Sequence, residues 1–307
     1  MKDYLTELIS RFPIRRSEKQ KQDFRNYAIE VATQNGHEAK VETIKKNNNV
    51  IIGDVESAEV VFTAHYDTPA RSLYPNLMLP RSPFIFYVYN FFFPFVMALV
   101  SLGIAFGLDA LFTLGTEWTI FIYLIIYFAM FIFVTRVFTN KHNANDNTSG
   151  VATILSLVEQ NVKSDHVAYV LFDNEEKGLL GSEAFSKLHK EVKKNVLVFN
   201  LDCVGYGNQF LFLAKKDAEN HKLFENLPKM VQKSENFDVH FFPAKGSVAN
   251  SDHKNFDCGV AVVACKKHKI LRFYTPRIHT KFDTIASFDN IKFLCEKLSN
   301  YIKTLQN

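Results

Sequence analysis

Apolar positions in the first 60 residues recur at helical spacing and then at strand spacing. Tyr4, Leu5, Leu8 and Ile9 share one face of a short helix that Pro13 interrupts. Phe24, Tyr27, Ala28 and Val31 mark one side of a second helix, predicted over residues 17–33 and closed by Asn35-Gly36. Three β-prone runs follow at 39–44, 50–53 and 59–63, the first two separated by the turn-like Lys46-Asn47-Asn48-Asn49. The third run delivers His65 and Asp67 at its C-terminal end, a common position for chemistry in α/β proteins.

The pattern then changes. Residues 84–108 carry no charge, although Pro94 and glycines interrupt them, and residues 118–135 form a second uncharged run. At a rise of about 1.5 Å per residue the first can cross a hydrocarbon core, and the second can with its flanks at 116–137. The link at 109–117 is short enough for a helical hairpin. Arg71 and Arg81 precede the first run and Arg136 and Lys141 follow the second, while the link carries Asp109 and Glu117. That bias predicts a two-helix transmembrane hairpin with both termini and the catalytic part on the cytoplasmic side. The expectation is a multi-pass membrane protein with two spans and the lipid bilayer as a partner. An apolar finger buried in a soluble dimer or lid is the alternative.

After Gly150 helical patterns at 151–159, 178–189, 219–231 and 285–302 alternate with strand patterns at 166–172, 195–201, 209–214, 239–242 and 259–264. Such alternation predicts an α/β fold, a mixed, mostly parallel central sheet flanked by helices. The chain divides into a first part of a catalytic domain at 1–83, a hairpin insertion at 84–138 and the remainder of the domain at 139–307. Composition adds less. The apolar fraction of 47% is ordinary, but the 30 Phe residues crowd into the middle. A net charge of +4 without a dense Lys/Arg stripe argues against nucleic-acid binding. The four cysteines, at 203, 258, 265 and 295, have no CxxC spacing and suggest no disulfide framework. The polar start lacks the apolar core of a secretory signal.

Five candidate metal ligands stand at the ends of predicted elements: His65, Asp146, Glu176, Asp202 and His279. Two imidazoles and three carboxylates suit a pair of borderline cations such as zinc, with one carboxylate bridging them. Each residue also has a plainer reading, His65 as a loop histidine, Asp146 as a helix cap and the acids at 173–176 as a solvated turn. Spacing alone leaves both readings open, because no compact metal motif is present.

The motifs together resemble the co-catalytic dizinc aminopeptidase family, related to bacterial leucyl aminopeptidases, glutamate carboxypeptidases and glutaminyl cyclases. The resemblance lies in His-x-Asp at His65 to Asp67, Asp-Asn-x-Ser-Gly at Asp146 to Gly150, and Glu-Glu-x-Gly-Leu-x-Gly-Ser at Glu175 to Ser182. It continues in Asp202, in Ser251-Asp252-His253, and in His279-Thr280-x-x-Asp283. The resemblance implies a zinc-exopeptidase-like fold and two zinc ions. Asp146 would bridge them, His65 and Asp202 would complete one site, and Glu176 and His279 the other. Glu175 would be the general base and Asp67 would orient and polarise His65. His253 would shape the pocket or support a loop and Asp283 support His279, with Tyr206 and Tyr274 as candidate oxyanion donors by location.

The expected function is hydrolysis of N-terminal residues from peptide substrates at a cytosol-facing, membrane-anchored site. A related zinc amide hydrolase, carboxypeptidase or deacylase, is the alternative enzyme, with glutaminyl cyclase behind it. A non-enzymatic membrane interaction protein with a peptidase-like domain is the alternative outside catalysis. The departure from the family pattern is the long stretch from 68 to 145 between the first two motifs, where soluble relatives have a short connection.

Overall fold

Short apolar runs in this chain become strands of one sheet. Strands β1 (Ala39–Ile44), β2 (Asn47–Ile52) and β3 (Val60–His65) come first, then the two-residue strands β4 (Ala70–Arg71), β5 (Leu77–Met78) and β6 (Phe138–Thr139). They are followed by β7 (Val167–Phe172), β8 (Leu197–Leu201), β9 (Gln209–Ala214), β10 (Asp238–Pro243), β11 (Gly259–His268) and β12 (Arg272–Pro276). The computed structural model describes residues 1–161 and 164–305. Its ten-stranded sheet runs β1-β2-β7-β3-β8-β11-β12-β5, with β9 on β11 and β10 on β9.

Pairing is parallel at the centre, where β7, β3, β8 and β11 lie side by side, and again between β9 and β10. On the flanks it is antiparallel, from β1 to β2 to β7 on one side and from β11 to β9, to β12 and on to β5 on the other. The sheet is mixed, as expected, with its parallel pairing in the four central strands and in the β9–β10 pair. A tight turn with Lys45 at φ 59° joins β1 to β2, and so short a link closes only an antiparallel pair.

Helices α1 (Tyr4–Arg11) and α2 (Glu18–Gln34) open the chain, and α3 (Pro83–Phe112) and α4 (Thr116–Thr135) make a hairpin. Then come α5 (Gly150–Gln160), α6 (Leu180–Leu188), α7 (Lys190–Asn195) and a C-terminal helix, Phe288–Leu305. Alternate residues of a strand face opposite ways. Val60, Phe62 and Ala64 of β3 pack with Leu5, Phe24, Leu155 and Tyr301, whereas Val61 joins Val170, Phe172, Phe185 and Val192 on the other face. Covered on both sides, these strands read as continuous apolar runs, which is why hydropathy locates them. Helix α2 begins with a reciprocal cap in which Gln20 N donates to Ser17 Oγ at 3.3 Å and Ser17 N to Gln20 Oε1 at 2.9 Å. The helix expected over 219–231 is instead broken into Lys216–Glu219 and Leu227–Met230, with Pro228 restarting the second piece.

The hairpin grows from the site side of the sheet. Ser101 and Ala105 are fully buried in its seam, and Met97 and Thr119 nearly so, while Phe84, Phe91, Phe106, Leu111 and Trp118 remain more than half exposed. By length and composition both helices are long and apolar enough to cross a membrane. Their base is stitched to the segment after His65. Strands β4 and β6 pair, Leu73 N donates to Val134 O at 3.0 Å, and Tyr89 Oη donates to Pro75 O at 2.7 Å. Tyr74 stacks on Phe93 with ring centres 4.8 Å apart.

A buried ion pair ties α2 to the end of β7. Lys21 Nζ donates to Asp173 Oδ1 at 2.7 Å and to Asn174 Oδ1 at 3.0 Å, and Asp173 Oδ2 accepts from Asn48 N at 3.1 Å. Burial pushes the Asp173 carboxyl up, and Lys21 opposes that shift. Replacing Lys21 by Met leaves the carboxylate buried without its cation, so Lys21→Met is expected to lower unfolding free energy by about 3–5 kcal/mol. Urea denaturation of the two proteins checks this; a loss below about 1 kcal/mol would mean that the pair is not a structural tie.

Candidate metal centre

The C-terminal edge of the central strands collects the predicted ligands. His65 ends β3, Glu175 and Glu176 form the turn after β7, Asp202 follows β8, Asp146 sits in the turn before α5, and His279 follows β12. Asn174, Cys203 and His279 hold left-handed backbone conformations at φ 55°, 58° and 57°, which non-glycine residues seldom adopt. Their clustering around one site is what functional strain looks like.

The Asp-Asn-x-Ser-Gly motif is a knot between two turns. Asn147 Nδ2 donates to Leu201 O at 2.9 Å, and its Oδ1 accepts from Gly150 N at 3.1 Å and Cys203 N at 3.2 Å. Ser149 Oγ accepts from Val204 N at 3.0 Å, and Asn145 Oδ1 from Gly205 N at 2.8 Å. A Cβ on Gly150 would stand 2.3 Å from Leu201 O, so only glycine lets the two turns close. The knot fixes Asp146 relative to Asp202.

The side chains converge in a shared arrangement. Asp146 Oδ1 lies 3.4 Å from His65 Nε2, which is itself 3.7 Å from Asp202 Oδ1. The other oxygen, Asp146 Oδ2, lies 2.9 Å from His279 Nε2, which is 3.4 Å from Glu176 Oε1. Three overlapping groups of potential ligands result: His65, Asp146 and Asp202; Asp146, Glu176 and His279; and His65, Glu175 and Glu176. Tetrahedral zinc with bonds of about 2.0–2.1 Å separates neighbouring ligand atoms by roughly 3.4 Å, close to most of these spacings. Glu176 Oε1 and Asp202 Oδ1 are buried with no hydrogen-bond partner, as metal-facing oxygens are. The residues present fit a pair of zinc ions.

Around them the electrostatics are those of crowded buried acids. Burial holds Glu175 well above the ordinary carboxylate range, against the pull of His65, and pushes Glu176 up to about 8. Burial also pushes Asp283 and Asp252 each up to about 7. Behind the acids lies Arg15, fully buried, whose Nε donates to Tyr66 O at 2.5 Å and whose Nη2 donates to Thr148 Oγ1 at 3.1 Å. Burial draws its pKa down to about 10, while Asp67 and Asp146 favour its charge.

Asp67 and Asp283 both accept from main-chain donors, and Asp67 Oδ1 also lies 3.6 Å from His65 Nδ1. Asp67 accepts from Glu175 N at 3.0 Å and Glu176 N at 3.2 Å, and His65 Nδ1 donates to the main-chain O of Asp67 at 3.1 Å. Asp283 accepts from Asn145 N and Asp146 N, each at 3.0 Å, so it braces the Asp146 turn. Ser182 Oγ donates to Asp252 Oδ1 at 2.5 Å. His253 is buried, and burial draws its pKa down to about 3. Tyr206 and Tyr274 do not line the cavity; Tyr206 carries Lys266 over its ring and Tyr274 lies edge-on to His268. The cavity, of about 370 Å³, is instead bordered by Asn76, Phe86, Asn90 and Arg136, residues that no motif marked. Arg15 was equally unmarked, and no local pattern distinguishes either arginine from a surface cation.

A scan against protein-family models matches residues 134–294 to "Peptidase family M28". That span is more than half of the chain. The chain belongs to peptidase family M28. No curated protein matches the sequence. Among solved structures, the glutaminyl cyclase of Porphyromonas gingivalis shares the fold with a TM-score of 0.60 at 13% identity, over 98% of this chain and 96% of its own. A Zn-dependent exopeptidase from Parabacteroides distasonis aligns with a TM-score of 0.59 at 14% identity, over 97% and 95% of the two chains. The LapA aminopeptidase of Legionella pneumophila aligns with a TM-score of 0.58 at 15% identity, over 98% of this chain and 70% of its own. Together with the ligand clusters, M28 membership supports a binuclear zinc site and zinc-dependent exopeptidase activity.

These relatives correct the membrane reading. They are enzymes of one globular fold that aligns with 97–98% of this chain, which argues against a fold interrupted by a transmembrane hairpin, the bilayer as partner, and a multi-pass location. The physical reason is that length and hydropathy report only how apolar a helix is, and helices that serve a soluble fold pass the same test. Removal of N-terminal residues at a membrane-anchored, cytosol-facing site is corrected with it. The fold is shared by an aminopeptidase and a glutaminyl cyclase, and the wider amide-hydrolase alternative is the better supported.

With Asp146 at the centre of both ligand groups, Asp146→Ala is expected to reduce tightly bound zinc from two ions per chain to fewer than one. Elemental analysis of protein dialysed after zinc loading measures this; retention of both ions would exclude Asp146 as the shared ligand.

Proposed function

We propose that this M28 protein hydrolyses amide bonds of peptides at a zinc-dependent binuclear centre. The observation that carries the reading is the division of Asp146, with one oxygen towards His65 and the other towards His279. In this proposal Asp146 would be shared by the two ions, His65 and Asp202 would help to hold one, and Glu176 and His279 the other. When bound, the ions supply Lewis acidity and make a water acidic enough to attack near neutral pH.

The remaining chemistry belongs to the chain. Glu175 takes the proton of the attacking water and returns it to the leaving nitrogen, for which a carboxyl held above its usual range by burial is suited. Asp67 keeps that base in place by accepting its main-chain N–H, and the same carboxylate holds the neighbouring ligand Glu176. His65 donates from Nδ1 to the main chain of Asp67, which leaves Nε2 as its ligand atom. Arg15 offsets the negative charge from behind without entering the cavity.

Purified, zinc-loaded protein is expected to hydrolyse short peptides and to lose that activity to a chelator, with zinc restoring it. Glu175→Gln should keep its zinc and lose about 10²–10⁴-fold in kcat. Near-wild-type turnover by the metal-replete variant would remove Glu175 from the role of base.

A further inference from the structure

The base of the hairpin adds a cation to the pocket. Arg136 caps the C-terminal end of α4 and borders both the cavity at the ligands and a neighbouring one of about 220 Å³. The two cavities share Asn76, Arg136, Glu176 and His279, so they form one groove across the metal ligands. The groove is asymmetric. On one side it is lined by Met78, Val248, Ala261, Val263 and Ile278. On the hairpin side it meets Ser72, Tyr74, Thr135 and the guanidinium of Arg136, with Glu176 as its only carboxylate.

Arg136 is anchored by its main chain and free at its tip. Its N donates to Ile132 O at 2.8 Å, and its O accepts from Arg16 Nη2 at 3.1 Å. The side chain makes one long contact, Nη1 to the main-chain O of Glu176 at 3.4 Å, and among the described residues it has no carboxylate partner. A guanidinium has five donors in a planar fork that matches a carboxylate, so most of its capacity is unused here.

We propose that Arg136 binds a free carboxylate of the substrate beyond the scissile bond, which makes dipeptides the preferred substrates. The proposal rests on the amide-hydrolase reading given above. Geometry sets the length. The guanidinium touches the main chain of a residue whose own carboxylate is among the ligands. One extended residue spans at most about 3.3–3.6 Å, so a carboxylate one residue past the scissile carbonyl comes within ion-pair reach. Each further residue moves the carboxylate up to about 3.3–3.6 Å farther from the scissile bond. The acids of the centre leave Arg136 as the one non-histidine cation bordering the cavity among the described residues, so a substrate anion is drawn to that side.

The test uses the full-length, zinc-loaded chain with leucyl-alanine, leucyl-alanine amide and leucyl-alanyl-alanine. The wild type is expected to favour the free dipeptide over its amide by about tenfold or more in kcat/KM, with the difference mainly in KM. Arg136→Gln should bring that ratio close to one, and Arg136→Lys should restore part of it. Calorimetry supplies a reading without turnover: Glu175→Gln protein should bind leucyl-alanine more tightly than the amide, and adding Arg136→Gln should remove the difference. An unchanged acid-to-amide ratio, with kcat lowered on both, would assign Arg136 to holding the Glu176 turn and overturn the proposal. Absence of hydrolysis of every peptide by the zinc-loaded wild type would overturn the amide-hydrolase reading, and the proposal with it.

Discussion

Mutual repulsion among buried acids is the constraint on which the rest of this protein depends. Asp67, Asp146, Glu175, Glu176, Asp202, Asp252 and Asp283 are gathered at one edge of the sheet. Desolvated charges of one sign cannot be held together without compensation. Part comes from main-chain N–H groups aimed at Asp67 and Asp283, part from His65 and His279, and part from Arg15 behind them. Oxygens of Glu176 and Asp202 still have no protein partner. Divalent cations answer that deficit, and the spacing of the nitrogens and oxygens is that of zinc ligands.

The fold exists to hold those groups against their repulsion. Parallel strands β7, β3 and β8 end side by side, so residues far apart in sequence emerge within a few ångströms of one another. The turns that follow are locked by side chains that do not line the cavity. Asn147 and Ser149 bind the main chain of 201–204, and the missing Cβ of Gly150 lets the two turns touch. Lys21 reaches Asp173 from α2, directly before the acidic pair. Such second contacts hold the candidate ligands in place in a region where their charges alone would drive them apart.

The hairpin belongs to this site through its base rather than its apolar length. Phe86 and Asn90 from the start of α3 and Arg136 from the end of α4 form part of the cavity wall. Tyr74, Pro75 and Leu73, a few residues beyond Asp67, hold that base in place. The helices between two segments that carry candidate ligands therefore contribute to the shape and charge of the pocket.

By itself the sequence determined most of the elements, the family and the metal-dependent type of chemistry. Strands buried on both faces show as apolar runs, helices as periodic faces, and His65, Asp146, Glu176, Asp202 and His279 stand out because their motifs keep the order of a known family. Hydropathy also located α3 and α4, but it measures apolarity and not surroundings, so it led to a bilayer that the globular fold shared with the relatives does not support. What only the tertiary structure decided was long-range. The antiparallel flanks follow from pairings such as β11 with β9, and the service of Asp283 to Asp146 joins residues 137 positions apart. Arg15 beneath the acids and Arg136 at the groove carry no local signature, because a cation's role is set by which charges the fold brings near it.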